Sequence, residues 1–314
     1  MTRSIQPTSI NLGQRFEVSL IRGAMGMFKL ISRLRKHPTP PAPVSLHSYG
    51  DHRAETLQYI PRKPGSPERA AVVYLHGGGW IAGKKELYTS DLFFLADQGY
   101  PVFNLEYPLA PENPHPAILR SLLRALEWIR QNHPECESVH FMGDSAGGNL
   151  AMMLGLLSRN PESIREINPS GTPRTALGCH SVVSLYGVLD RLSWIDNKFP
   201  MSRVMLGSYG GKAAFEREVA PNLAITPMDL KFDSVPPCYL VAGTKDQLCD
   251  STRIFAKRLE GETSEVLVGI FEGEKHGFFN FSWRPAYQQL RAEILDFLLR
   301  NDPSQAANIK PGGL

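Results

Sequence analysis

Gly143-Asp-Ser145-Ala-Gly147 is the stretch of the chain with the most definite chemistry. It follows an apolar, strand-like run ending at Met142 and opens a largely apolar helical run at Ala146. Small residues two positions either side of Ser145 permit a sharp strand-to-helix turn, which lifts a serine hydroxyl clear of a sheet as a nucleophile. Such a serine needs a base, and the base needs an acid to orient it. Only His180 and His276 lie downstream of Ser145. His180 falls at the head of a buried-strand pattern and reads as a core histidine. His276, in Glu274-Lys-His276-Gly-Phe278, follows the strand ending near Phe271. That is the strand end where catalytic groups of open α/β sheets gather. For the acid, Asp246 follows the strand Cys238–Val241 through Gly243-Thr-Lys245. Asp250 is read instead as a solvated carboxylate in the first turn of a helix. Upstream, His76-Gly77-Gly78-Gly79-Trp80 follows the strand Ala71–Leu75. Its glycines let backbone N–H groups approach a developing oxyanion, with the N–H of Ala146 as a second donor.

The same glycines partly match two phosphate-binding patterns. Gly77-x-Gly79-x-x-Ala82 runs into Gly83-Lys-Lys, a poor helix start. Gly78-x-x-x-x-Gly83-Lys84 places Lys85 where a P-loop needs a hydroxyl for magnesium. Nucleotide binding is set aside, and the motifs call for no cofactor and no metal.

The elements that must position these residues alternate. Strands are predicted at Val44–Tyr49, Thr56–Ile60, Ala71–Leu75, Val102–Glu106, Val139–Met142, Val182–Leu185, Cys238–Val241 and Val266–Phe271. Helices are predicted from a Ser90 cap to Gln98, over Ala117–Gln131 and Ala146–Ser158, and near 249–260 and 285–300. This order implies an α/β fold with a mostly parallel central sheet and helices on both faces. Residues 190–232 interrupt the rhythm as an insertion, and the tail Asn301–Leu314 reads as flexible. Ahead of the sheet, Phe16, Leu20, Ala24, Met27, Ile31 and Leu34 recur at helical spacing, and Arg15, Arg22, Lys29 and Lys36 recur every seven residues. That is a basic amphipathic helix, followed by the Pro-rich linker that starts at His37.

Together these motifs resemble the hormone-sensitive-lipase-like α/β-hydrolases, mostly carboxylesterases. The matching set is His76-Gly-Gly-Gly-Trp80, Tyr107-Pro-Leu-Ala-Pro-Glu112, Gly143-Asp-Ser-Ala-Gly-Gly-Asn149, Gly243-x-x-Asp246-x-Leu248-x-Asp250 and His276-Gly-Phe278. The resemblance implies Ser145 as nucleophile, His276 as base, Asp246 as orienting acid, and Gly77, Gly78 and Ala146 as oxyanion donors. It implies a helical cap from residues 1–45 and 190–232 over a catalytic domain spanning 46–300, with 301–314 as a tail. Two positions depart from the pattern. Pro108 stands where Arg is usual, which removes an expected ion pair, and Gln247 stands where Pro commonly follows the acid. The implied activity is hydrolysis of short- to medium-chain acyl esters, with amide or formamide cleavage, lipid-ester deacetylation, or a non-catalytic ligand receptor as the other readings. Trp80, Leu192, Phe199 and Met205 are candidate substrate contacts, although such a stripe also suits packing between cap elements.

Composition narrows the partners. Of 314 residues, 42% are hydrophobic and 21% charged, which excludes a disordered or collagen-like chain. Seven bases against Glu17 alone give residues 1–40 a net +6, so the remainder carries −3. A weakly acidic body argues against nucleic acid. The basic arm fits a cap helix, with contact to anionic membrane surfaces as the rival reading. Cys136, Cys179, Cys238 and Cys249 lie far apart, as expected of reduced thiols in the cytoplasm. The longest apolar run near the N-terminus, Ala24 to Phe28, is interrupted by Gly26 and is too short for a signal peptide. The final helix, Tyr287 to Leu299, is a candidate homodimer contact.

Overall fold

Runs of consecutive apolar residues make stable strands only where both faces of the sheet are covered. The computed structural model describes residues 13, 15–23, 38–168, 177–197, 199, 201–262 and 265–304. It assembles the runs into one eight-stranded sheet: β1 (Ser45–Ser48), β2 (Thr56–Ile60), β3 (Val72–Leu75), β4 (Val102–Leu105), β5 (Ser138–Asp144), β6 (Gly178–Leu185), β7 (Cys238–Gly243) and β8 (Val266–Phe271). The spatial order is β1-β2-β4-β3-β5-β6-β7-β8. β1 pairs with β2 and β2 with β4 in antiparallel fashion, and all other pairings are parallel. The described helices are α1 (residues 15–23), α2 (Phe93–Asp97), α3 (Ala117–Asn132), α4 (Ala146–Arg159), α5 (Pro161–Ile167), α6 (Arg191–Asp196), α7 (Ser202–Gly210), α8 (Cys249–Arg258) and α9 (Pro285–Arg300).

The period-two geometry of a strand splits each apolar run between two cores. Val73, Leu75, Phe141 and Leu240 pack in one core with residues of α3 and α4. Val72, Tyr74, Met142, Tyr239 and Val241 pack in the other with residues of α2 and α9. Every element predicted between β1 and α9 is present, with ends displaced by a few residues. One start differs in kind. A 3-10 turn over Ser90–Leu92 precedes α2, and its N-cap is Thr89 rather than Ser90. The Thr89 hydroxyl donates to Gln58 Oε1 at 2.7 Å instead of capping the helix.

Three expectations are corrected. On α1, Val18 and Ile21 are buried while Phe16 and Leu20 are 65% and 57% exposed. These two members of the predicted stripe therefore face outward, and the side of α1 that carries Val18, Ile21 and Arg22 meets the body, with Arg22 bonded to Ile81, Ala110 and Glu112. Ala24, Met25, Met27, Phe28, Lys29, Ile31, Leu34 and Lys36 lie outside the described residues. His180 is only partly buried, near the start of β6, whereas His140 of β5 is sealed in the interior. Asn301 to Ser304 are ordered against the body, while 305–314 lie outside the described residues. The Asp302 carboxylate is buried and accepts from the Ala70 N–H at 3.0 Å and the Ser304 N–H at 2.9 Å.

The His140 ring bonds the Ser181 hydroxyl at 2.8 Å, with its Nε2 3.6 Å from Asp302. Burial alone would raise the Asp302 pKa, but the His140 ring and the donors of Ser304 and Ala70 outweigh it and hold the group well below the usual carboxylate range. A depressed carboxylate stabilises the fold above its unfolded pKa of about 4, and that contribution is lost as pH falls. Replacing Asp302 with Ala should cost about 1 kcal/mol at neutral pH by removing the acceptor of the part-buried Ala70 and Ser304 N–H groups. Urea unfolding measures this, and the deficit should shrink in acid. An unchanged midpoint at pH 7 refutes the anchoring role.

Candidate active site

The parallel register brings the motifs together. Leu75 of β3 lies opposite Gly143 of β5, so the loop after β3 and the turn after β5 emerge side by side. Ser145 occupies that turn with φ 53° and ψ −120°, a conformation L residues rarely adopt. Strain of this kind costs of order 1–3 kcal/mol and persists only where the surroundings enforce it. Here the Ser145 N–H is held by Leu185 O at 2.8 Å. A Cβ on Gly147 would run into the Leu75 carbonyl, so the turn admits no larger residue there.

His276 and Asp246 arrive from the two neighbouring strand ends. The loops after β7 and β8 hydrogen-bond each other through Lys245 N to Glu274 O (2.9 Å), Thr244 N to Phe271 O (3.0 Å) and Gly273 N to Thr244 Oγ1 (2.9 Å). Asp246 is buried, with Oδ1 accepting from Leu248 N at 2.8 Å and Oδ2 lying 2.9 Å from His276 Nδ1. The carboxylate can only accept, so Nδ1 carries the proton and Nε2 is free to accept from the Ser145 hydroxyl, also at 2.9 Å. The Tyr186 ring backs the imidazole edge-on at 4.9 Å. The His276 side chain keeps 37% of its surface exposed, which leaves a face open to a reactant. Asp250 points elsewhere, 3.9 Å from Arg253 and 3.3 Å from Asn197. The carbonyl of Gln247, where a proline is usual, accepts from Asn197 at 2.9 Å, so a side chain following α6 steadies the acid turn.

The glycine loop corrects one donor. Gly77 N–H is spent on Asp144 Oδ1 at 2.7 Å. Among the described residues, the next two N–H groups, of Gly78 and Gly79, meet no protein acceptor. Gly78, Gly79 and Ala146 are therefore the N–H groups available to an oxyanion, in place of Gly77, Gly78 and Ala146. Asp144 is the residue whose role motif reading missed. Buried beside Ser145, its carboxylate also accepts from Tyr74 (2.9 Å) and Tyr88 (3.0 Å). It stands at a variable position of the pentapeptide, and its partners are distant in sequence. Asn149, at the end of the same motif, donates to Val188 O (2.8 Å) and Ile225 O (3.1 Å), which ties the chain just before the insertion to its later part. His76 is structural: it is fully buried, stacked on Tyr107 at 4.4 Å and 3.4 Å from Glu106.

Of the four candidate substrate contacts, Met205 lies directly over the loop, where its Sδ fills the space a Cβ on Gly79 would need. Trp80 is corrected. With φ 60° its indole turns inward, is fully buried and stacks on Tyr209 at 4.5 Å, so it supports α7 rather than facing a reactant. Phe199 stacks on Trp194 at 6.0 Å, and Leu192 is half-buried in the first turn of α6. Among the described residues, no group of three or more His, Cys, Asp or Glu is placed to hold a metal ion. No helix among them is long and apolar enough to cross a membrane.

An activated serine above the carboxyl ends of a mostly parallel sheet defines a class, and comparison with known proteins agrees. Residues 72–280 match the family model described as the alpha/beta hydrolase fold, and the chain belongs to that family. It is 27% identical over 244 residues to Esterase LipC of Mycobacterium tuberculosis, covering 73% of this chain and 58% of that protein. It is 26% identical over 258 residues to an acetyl esterase of Salmonella dublin, covering 74% and 71% respectively. In structure it is similar to esterase B of Lactobacillus rhamnosis, with a TM-score of 0.75 at 19% identity over 93% of this chain and 96% of the other. The hyperthermophilic esterase of Pyrobaculum calidifontis gives 0.69 at 21% identity, over 90% and 92%.

Loss of water around its inner face lowers the His276 pKa, but the hydrogen bond and charge of Asp246, with a smaller contribution from Asp144, outweigh it and raise the value above 6.5. Only neutral His276 can take a proton from Ser145. The acid limb of any reaction run by this pair should therefore lie above pH 6.5, read from kcat/KM against pH. Asp246→Asn should move that limb down in pH and cut turnover by on the order of 10⁴. An unmoved limb rules out Asp246 as the partner.

Proposed function

We propose that the protein is a serine carboxylesterase acting on short- to medium-chain acyl esters. The observation that carries this is the unbroken line from Asp246 through His276 to Ser145, with 2.9 Å at each junction. His276 takes the hydroxyl proton as Ser145 Oγ attacks the acyl carbonyl. The oxyanion settles against the N–H groups of Gly78, Gly79 and Ala146, at the start of α4, where the helix dipole favours negative charge. The alcohol leaves with the proton from His276. Water, deprotonated by the same imidazole, then releases the acid and regenerates Ser145. The relatives named as esterases support the reaction class. A complete triad favours catalysis over a receptor role.

The N-terminal segment and residues 190–232 serve as the cap in this reading. Val18 and Ile21 of α1 are buried, and the insertion packs through Trp194 and Tyr209 near Trp80. The lack of a membrane-spanning helix among the described residues is compatible with a cytoplasmic enzyme. Met205 forms one wall of the acyl site.

Ser145→Ala should abolish hydrolysis of p-nitrophenyl butyrate and labelling by a fluorophosphonate; labelling that persists elsewhere sinks the assignment. Met205→Ala should raise the ratio of kcat/KM for hexanoyl over acetyl esters about tenfold by opening room above Gly79. A ratio that stays constant removes Met205 from the acyl wall.

A further inference from the structure

Arg22 of α1 makes four hydrogen bonds to the body of the protein. Its Nε donates to Ile81 O at 2.8 Å and its Nη2 to Ala110 O at 2.9 Å. Nη1 and Nη2 grip both oxygens of Glu112 at 2.9 and 2.7 Å. These acceptors belong to two segments that meet beside the site. Ile81 and Ala82 close a turn back onto Gly78 O (3.2 and 3.0 Å), and Ala110 N donates to Trp80 O at 2.9 Å. The near end of the glycine loop is tied down by Asp144 at Gly77 and by the Tyr107 hydroxyl at His76 O, 2.6 Å. Its far end is gripped by Arg22. The motif stretch Tyr107–Glu112 carries Pro108 where the resemblance leads one to expect an arginine. A guanidinium is present all the same, delivered from the N-terminal helix.

We propose that Arg22 is a positioning residue for the oxyanion loop, so that α1 helps to shape the reacting face as well as to cover it. The proposal rests on the esterase reading. It follows from the pattern of bonds rather than from their strength. The Arg22 and Glu112 side chains are 36% and 60% exposed, and an ion pair so placed contributes little to stability. Two of the four bonds instead fix carbonyls on either side of the Trp80–Ala110 contact. Displacing Ile81 moves the turn that begins at Gly78, and with it the N–H that meets the oxyanion. A planar fork is required: a lysine can keep the charge but cannot reach two carbonyls and a carboxylate together.

The test uses full-length protein with p-nitrophenyl acetate and butyrate, and a trifluoromethyl ketone that adds to serine as a tetrahedral adduct. Arg22→Ala should lower kcat on both esters about tenfold, a fraction of the loss from deleting an oxyanion donor outright. KM should stay within about twofold, and ketone affinity should weaken by the same factor as kcat. Arg22→Lys should lose as much as Arg22→Ala, and Glu112→Gln should lose less, because both carbonyl bonds survive. If Arg22→Ala proves unstable, the lysine variant carries the comparison. The proposal is overturned if kcat and ketone affinity are unchanged, if only the melting temperature drops, or if the effect is confined to KM on the longer ester. Activity that survives in Ser145→Ala would overturn the esterase reading, and this proposal with it.

Discussion

A buried carboxylate beside the reactive serine couples the two halves of the site. Asp144 ends β5 and takes hydrogen bonds from Tyr74, Tyr88 and the Gly77 N–H, which together reach β3, the segment before α2 and the glycine loop. Burial holds its pKa above the usual carboxylate value, and those three donors, with His76 nearby, offset only part of that rise. An unpaired charge at that depth would be strongly unfavourable, so the donors must stay in place for the chain to fold there. The Gly77 N–H is one of them. The carboxylate therefore sets where the glycine loop begins relative to Ser145, and which of its N–H groups remain free. Glycine at 77 is required for the same reason, since a Cβ would collide with the Asp144 side chain.

Around this anchor, strain and support balance. Ser145 is held at positive φ by its bond to Leu185 and by helix α4 packed closely on the sheet. The turns carrying Asp246 and His276 are tied to each other before either reaches the serine. Preorganisation of this kind matters because the groups need not rearrange as charge develops, which is when electrostatic stabilisation counts.

The insertion is stitched from within by ionic and polar contacts. Arg191 is fully buried, bonds both oxygens of Asp229 at 3.1 Å and reaches the Ala214 carbonyl. Asp229 in turn accepts from the N–H of Thr226 at 2.9 Å. A pair this deep contributes little net free energy against an apolar replacement, yet breaking one half is costly. Its effect is to define one arrangement of a segment with short helices and little core of its own. Asn149 then fastens that segment to α4, and Asn197 fastens it to the acid turn, so the insertion and the triad share supports.

Chain order, strand–helix alternation and the local glycine and serine motifs were legible in the sequence because each depends on neighbours a few residues away. Apolar runs make buried strands, small residues permit the turn at Ser145, and a histidine and an aspartate placed just past two strand ends must lie on the same edge of a parallel sheet. Ser145, Asp246 and His276 are therefore legible by position. What local pattern could not decide was which polar groups are already engaged. Gly77 reads like Gly78 and Gly79 until Asp144 is seen to occupy its N–H. Phe16 and Leu20 read as the inner face of α1 until Val18, Ile21 and Arg22 are found on the side that meets the body. Trp80 reads as a substrate contact until its positive φ points it into the core, and Asn301 to Ser304 read as tail until Asp302 meets Ala70. Each correction involves a hydrogen bond, stacking contact or backbone angle set by residues far apart in the chain, and such partners exist only once the sheet has folded.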